Sequence, residues 1–472
     1  MKLIGKFKQM LCWMLAITVL TSLSGCGNGN KGNNSSDIWE YIEVDGSDDV
    51  GTAASENESN AVSGGNGVGS KNSGSGGNKD SSVKNTVTDI KGSTVKVLVW
   101  YEPSESETKS AKAFTSKTGC KVQFIKTSLN NYQTKLASLV SSGAAPDAAA
   151  IMLSSYPSMI INGLFEELPT KNFDLKNKLW DIDTMDCYKW NNKYYGVLAK
   201  GSTMSDFYMI FFNKTLFEEN GVETPYEIWK KNPNDWNWNK LASIAKEMTT
   251  GSGDSKIYGL ECGYAGVFMW STGKDFVSVS GNTIKNTSYD EKVRESWKFF
   301  NNLRDIDKCL NPANSVEEDF INRKCAMYVN GSWQMQSGGS YGKNMKDDWG
   351  AVPFPKQNNG SYYSPFRVTL WGVGKGSKNP AGSAEFLTYW LDSAHYSDTL
   401  YAKPEFKEIH DWMWNQPKCN AYSNGVLNVK EKNYYLDLWL KLTVGANNVD
   451  TVLKQQSPVI DDAIKLVLDD RT

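Results

Sequence analysis

The sequence predicts an α/β protein built as two lobes with a crossover between them. Three observations carry that expectation. A chain of 472 residues exceeds what one ordinary core accommodates. Apolar runs of strand type alternate with amphipathic helical patterns on both sides of residue 200, which implies parallel pairing. Between the halves lies the stretch 194–213, where two apolar runs, 194–198 and 207–212, flank a small and polar segment, 200–206. Aromatic and β-branched residues around a Gly/Ser/Thr break read as strand, bend, strand.

At the amino terminus, residues 1–26 have the three parts of a secretory signal. Lys2, Lys6 and Lys8 form the basic region, 10–20 the apolar core, and Leu23-Ser24-Gly25-Cys26 the end. The apolar run is too short to span a bilayer comfortably. The final tetrapeptide resembles the bacterial lipobox, which implies cleavage before Cys26, acylation of its thiol and a lipid-anchored mature protein. Residues 27–93 follow as a Gly/Asn/Ser-rich tether that cannot bury enough apolar surface to offset its chain entropy. The run Ile38-Trp39-Glu40-Tyr41-Ile42 interrupts it and reads as a chance apolar cluster.

The first lobe is expected to begin near Thr94. Residues 95–100 read as a buried strand, and 102–107 open a helix stopped by Gly119. Val122 and Phe124 alternate as a second strand. Tyr132, Leu136, Leu139 and Val140 share one helical face, and 148–152 is a third strand. Beyond the crossover, Asn237 is placed to cap a helix whose buried face is Leu241, Ile244, Ala245 and Met248. Residues 257–260 read as a strand, 293–303 and 317–322 as helices, 326–329 as a strand and 384–391 as a helix. Pro458 is expected in the first turn of a last helix with Ile460, Ile464, Val467 and Leu468 on one face.

Composition narrows the function. The net charge of −2 and pI near 6.0 provide no basic field for nucleic acid. With only His395 and His410 in the chain, His-based catalysis and His-rich metal sites are poorly supplied. No catalytic constellation, metal site or cofactor is predicted. Trp 17, Tyr 22 and Phe 18 are a heavy aromatic load at a mean hydropathy of −0.49, as in proteins that show rings to a ligand. Of the eight Cys, Cys12 is in the leader and Cys26 in the lipobox. The other six have no metal-ligand spacing; they could pair outside the cell, although buried free thiols are the plainer reading.

Several motifs resemble the extracellular solute-binding proteins of bacterial ABC importers, specifically the sugar-binding class. Tyr195-Gly196-Val197, Asn213-Lys214 with Leu216-Phe217 and Gly221, Pro353-Phe354-Pro355 and Lys375-Gly376-Ser377-Lys378-Asn379-Pro380 match that family's pattern. The most specific match is Ala326-Met327-Tyr328-Val329-Asn330-Gly331-Ser332-Trp333. The resemblance covers Thr94 to the end and is weakest over 401–419. It implies a class II periplasmic-binding-protein-like fold with the ligand cleft between lobes. Lobe 1 would be 94–206, continued by about 372–408, and lobe 2 would be 207–371, continued by about 409–472. It implies a monomeric carbohydrate-binding lipoprotein on the outer side of the cell membrane that serves the transmembrane subunits of an ABC permease.

A sugar ring has an apolar C–H face and a rim of hydroxyls, so its site needs flat rings together with donors and acceptors. Ligands of open α/β sheets bind beyond the carboxyl ends of strands, which points to Tyr101, Glu102, Ser154 and Ser155. Trp333, Trp270, Tyr264 and Trp371 are the candidate platforms, and Asp206, Glu102, Asn330 and Arg367 the candidate polar partners. Trp333 follows a strand, with Gly331 expected to let the backbone turn. Trp100 and Trp371 have a competing role as core rings, Glu102 as a helix N-terminal charge, and Arg367 as an ion-pair partner between lobes. The rival readings are a glycoside-active enzyme using two carboxylates and a binder of a non-sugar solute.

Overall fold

The computed structural model describes residues 41–44 and 90–469, apart from 169–170, 313–315, 396–400, 430–431 and 444–447. The signal segment, Cys26 and most of the tether lie outside the described residues. The strands that build the two main sheets and one hairpin are β1 (Tyr41–Val44), β2 (Thr94–Val99), β3 (Lys121–Lys126), β4 (Ala148–Met152), β5 (Asp206–Asn213), β6 (Glu261–Cys262), β7 (Val277–Ser280), β8 (Thr283–Asn286), β9 (Met327–Gly331), β10 (Trp349–Pro353), β11 (Ser364–Arg367), β12 (Thr369–Gly372) and β13 (Lys418–Asn420).

Lobe 1 is a sheet ordered β1-β3-β2-β4-β12. Its centre is parallel, β2 lying between β3 and β4, while β1 and β12 close the edges antiparallel. Every residue of β4 is buried, as parallel strands covered on both faces require. The helix Glu105–Thr118 starts on a capping box between Ser104 and Glu107 and stops at Gly119, whose φ of 70 suits glycine. The helix Tyr132–Ser141 is tied to the sheet through its first side chain: Tyr132 donates to the Leu98 carbonyl at 3.3 Å and accepts from the Ala150 amide at 2.6 Å. The order begins earlier than expected. Ile90 is buried, the Ser93 hydroxyl donates to its carbonyl, and Tyr41–Val44, expected in the tether, pairs along β3.

Lobe 2 centres on β5. Its sheet runs β13-β11-β5-β9-β6, with β10 also pairing β5. All eight residues of β5 are buried, because neighbours pair it on both sides and helices cover it. Asn237 caps Trp238–Glu247 by accepting from the Lys240 amide, as the sequence indicated. Gly259 lies where any Cβ would collide with the Ala245 carbonyl of that helix. The expected strands 194–198 and 257–260 are instead single bridges, including Val197 to Trp371 and Tyr258 to Cys325. Pro458 sits inside the helix Val449–Asp469 rather than near its start, the apolar face continuing from Leu453 to Ile460, Ile464 and Val467. Packing of that face outweighs the missing proline donor.

The lobes meet where β5 and β11 run side by side. The chain enters lobe 2 through Ser205 into β5 and leaves it between β11 and β12, at Val368. The Thr369 amide donates to the Ser205 hydroxyl at 3.0 Å, stitching the two crossings together. Because β12 pairs with β4 in the first sheet, the chain changes sheet at Val368. Farther on, Tyr401 bridges Gln336, and Phe406 packs its ring 5.0 Å from Trp349, both contacts with lobe 2. Cys120, Cys187, Cys262, Cys309, Cys325 and Cys419 are all unpaired, Cys187 exposed and the other five buried.

Candidate ligand-binding site

Alternation along β5 sends Asp206 and Tyr208 to one face, and β9 lies directly beside it, Tyr208 opposite Gly331. The tight turn Ser332–Met335 then carries Trp333 back over its own strand. A Cβ on Gly331 would collide with the Trp333 ring, so this glycine provides room. Its φ of −92 is ordinary, and the expected special turn is not what selects it.

Around Trp333 gathers a cluster of rings. Tyr208 lies 4.7 Å from Tyr264 and 5.4 Å from Trp270, and both tyrosines meet Trp333 edge-on, at 6.2 and 6.1 Å. The Arg367 guanidinium, from β11, stands 4.8 Å from the Trp333 ring centre. It donates through Nη2 to Asp206 Oδ2 at 2.6 Å, while Asp206 Oδ1 accepts from the Ser332 hydroxyl at 3.3 Å. That hydroxyl in turn accepts from the Phe207 amide. The wall stays open to solvent: Tyr264 is 36% exposed and the Arg367 side chain 40%, over an Asp206 that is 7% exposed. Burial pushes the Tyr264 and Tyr208 hydroxyls above the usual phenol range, partly opposed by Arg367. Burial also works against the Arg367 charge, and Asp206 more than restores it.

The structure thus brings together Asp206, Tyr264, Trp270, Trp333 and Arg367. Trp270 is 5% exposed beneath Tyr208 and donates through Nε1 to Asp275 at 3.2 Å, so it supports the cluster from below. Asn330 points away from the rings: its amide group donates to Tyr341 at 2.9 Å and to Glu317, and its oxygen accepts from Gly331. Trp371 is a correction. It is 1% exposed, between Trp390 at 4.8 Å and Trp100 at 6.3 Å, because pairing of β12 with β4 turns its ring into the lobe 1 core.

The remaining candidates lie on lobe 1. Glu102 is exposed and pairs with Lys126 at 2.5 Å. Ser154 is exposed and Ser155 half-buried in the turn after β4. The short helix Ser423–Leu427 packs on that turn through Gly425, where a Cβ would collide with the Leu153 and Tyr156 carbonyls. Sequence reasoning missed Tyr208 and Ser332. The usable signal was the two-residue spacing of Asp206 and Tyr208 on one strand face.

Comparison with known proteins places the chain. The profile described as "bacterial extracellular solute-binding protein" matches residues 109–402. The maltodextrin-binding protein MdxE of Bacillus subtilis (strain 168) is 28% identical over 149 residues, 30% of this chain and 34% of that protein, so the match spans about a third of the relative. Among solved structures, an ABC substrate-binding protein of Listeria monocytogenes in complex with cycloalternan superposes with a TM-score of 0.61 at 17% identity, over 79% of this chain and 99% of that one. An extracellular solute-binding protein of Staphylococcus aureus in complex with maltose gives 0.60 at 16% identity, over 80% and 99%. Their common fold is the two-lobed periplasmic-binding-protein type seen here. The profile describes binding proteins and not enzymes, which sets aside the glycoside-active reading. Among the described residues no helix is long and apolar enough to cross a membrane. By its sequence profile and its fold, the chain belongs to the bacterial extracellular solute-binding proteins.

Proposed function

We propose that this protein captures a sugar or oligosaccharide between its lobes and delivers it to the transmembrane subunits of an ABC permease. The observation that carries the reading is the ring cluster of Tyr208, Tyr264 and Trp333 beside the Asp206–Arg367 pair, on the lobe 2 strands next to the crossing. Tyr264 offers the most open apolar surface, and Arg367 keeps donors beyond the one given to Asp206. Flat carbon surface next to directional polar groups is what a pyranose needs. Glu102, Ser154 and Ser155 are the lobe 1 groups proposed to meet the ligand's other side.

The relatives named with maltodextrin, maltose and cycloalternan support α-glucans as the first ligands to test. A thermal-shift screen over monosaccharides, maltotriose, maltotetraose and cycloalternan is the direct experiment. A saccharide at about 100 times its dissociation constant adds roughly 2.7 kcal/mol and raises the melting temperature visibly. A screen in which no saccharide moves the transition would end the carbohydrate reading.

The mature protein is proposed to act as a monomer held on the outer face of the membrane by lipid on Cys26. Replacing Cys26 by Ser should abolish incorporation of labelled fatty acid. Labelling that persists in that variant would refute the anchor.

A further inference from the structure

We propose that Asp206 and Arg367 act together as a charge filter, making the cleft selective for uncharged ligands over otherwise similar acidic ones. The inference rests on the carbohydrate reading and deepens it to a ligand class. A guanidinium placed to receive a carboxylate presents two parallel N–H groups to it. Here that option is already used in part, because Nη2 of Arg367 donates to Asp206 Oδ2 at 2.6 Å. The carboxylate is not adventitious. It is 7% exposed, its other oxygen is held by the Ser332 hydroxyl, and the register of β5 against β11 sets residue 206 opposite residue 367. Asp206 is therefore a fixed counter-charge built into the sheet.

What Arg367 has left suits hydroxyls. Its Nε is buried out of a ligand's reach, but its side chain is 40% exposed beside Trp333 and only Nη2 is engaged with Asp206. A neutral hydroxyl can accept from such donors without meeting a net charge. An incoming carboxylate would be drawn by Arg367 and repelled by Asp206 directly behind it. Among the other carboxylates, Glu102 is offset by a cation, while Glu317 is held by neutral donors and adds to the repulsion. Glu317 accepts from Asn330, Gln334 and Ser340, and Glu102 pairs with Lys126.

The test compares maltotriose with the same trisaccharide carrying 6-carboxylates in place of its 6-hydroxymethyl groups, by calorimetric titration. The wild-type protein is expected to favour the neutral form by about tenfold or more, the size of an effect worth one decade in affinity. Asp206→Asn, which keeps the shape and an oxygen for Arg367, should shrink or invert that ratio. Arg367→Gln, which leaves Asp206 uncompensated, should widen it and serves if the first variant folds poorly. Equal or tighter binding of the carboxylated sugar by the wild type would overturn the proposal. So would a ratio that neither variant moves. A second measurement does not depend on saccharide binding: acetate titrated against tryptophan fluorescence should produce saturable quenching in Asp206→Asn and none in the wild type. If no saccharide binds at all, the carbohydrate reading falls and the acetate experiment alone decides the charge filter. Saturation in both proteins, or in neither, refutes it.

Discussion

The fold-back of Trp333 over Gly331 makes the ring a keystone for its neighbours, since Tyr208, Tyr264 and Arg367 all rest against it. Trp333→Ala is expected to leave the circular dichroism spectrum unchanged and to weaken saccharide binding by about thirtyfold, as for a buried aromatic anchor. Near-normal affinity in the folded variant would exclude the ring from the site. Asp275 provides a second residue-scale outcome. Burial pushes its carboxyl up to about 6, while bonds from Ser423, Trp270 and the Phe276 amide hold it down in part. Between pH 4 and 6 the folded protein then keeps a proton that the unfolded chain has released. Its contribution to stability is therefore full at low pH and lost as pH rises through 6, up to about 3 kcal/mol. Melting curves against pH should show that loss, and Asp275→Asn should flatten it. Trp333 was singled out in the sequence because a motif surrounds it. Tyr208 was not singled out, because in a fully buried strand only its two-residue spacing from Asp206 sets it apart. Trp371 was misplaced because an indole suits a core and a cleft equally well.

Among elements, those whose ends carry chemical signals were the most legible. Gly119 ends one helix and Asn237 starts another where their residue types indicate, whereas the caps at Ser104 and Asn379 were not singled out. The bridged segments 194–198 and 257–260 were read as strands because their composition fits, yet pairing partners decide strand formation and partners are distant in sequence. Asp147 shows how such distant pieces are joined. Its carboxylate accepts from the Lys96 amide at 2.9 Å, the Ser377 hydroxyl at 2.6 Å and the Asn379 amide at 3.1 Å. It therefore pins the start of β2 and the loop that launches the helix Pro380–Trp390. Asp147→Ala would take this acceptor from the Lys96 amide and the Ser377 hydroxyl, while the Asn379 amide keeps Ser377 Oγ at 3.2 Å, and it is expected to cost about 1–3 kcal/mol for each donor that water does not reach. A drop in the denaturation midpoint with ligand affinity retained after refolding is the expected result; an unchanged midpoint would mean that water replaces the carboxylate.

For the whole molecule, two lobes joined at adjacent strands allow closure by small rotations at the crossings. Adding a saturating saccharide should reduce the radius of gyration measured by X-ray scattering, and superimposable curves would refute closure. The two-lobed plan was legible because alternating strands and helices on each side of residue 200 announce it. The change of sheet at Val368 was not, because β11 and β12 run almost without a break through both lobes and nothing local marks it. That continuity also links two properties usually treated as separate. Arg367 and Asp206 face each other one residue from Val368 and Ser205, so the pair proposed to grade ligands adjoins the crossings about which closure is expected. A lineage that drifts toward a new ligand by altering this pair is then expected to change its rate of opening as well. Diet and mechanics would then evolve as one trait.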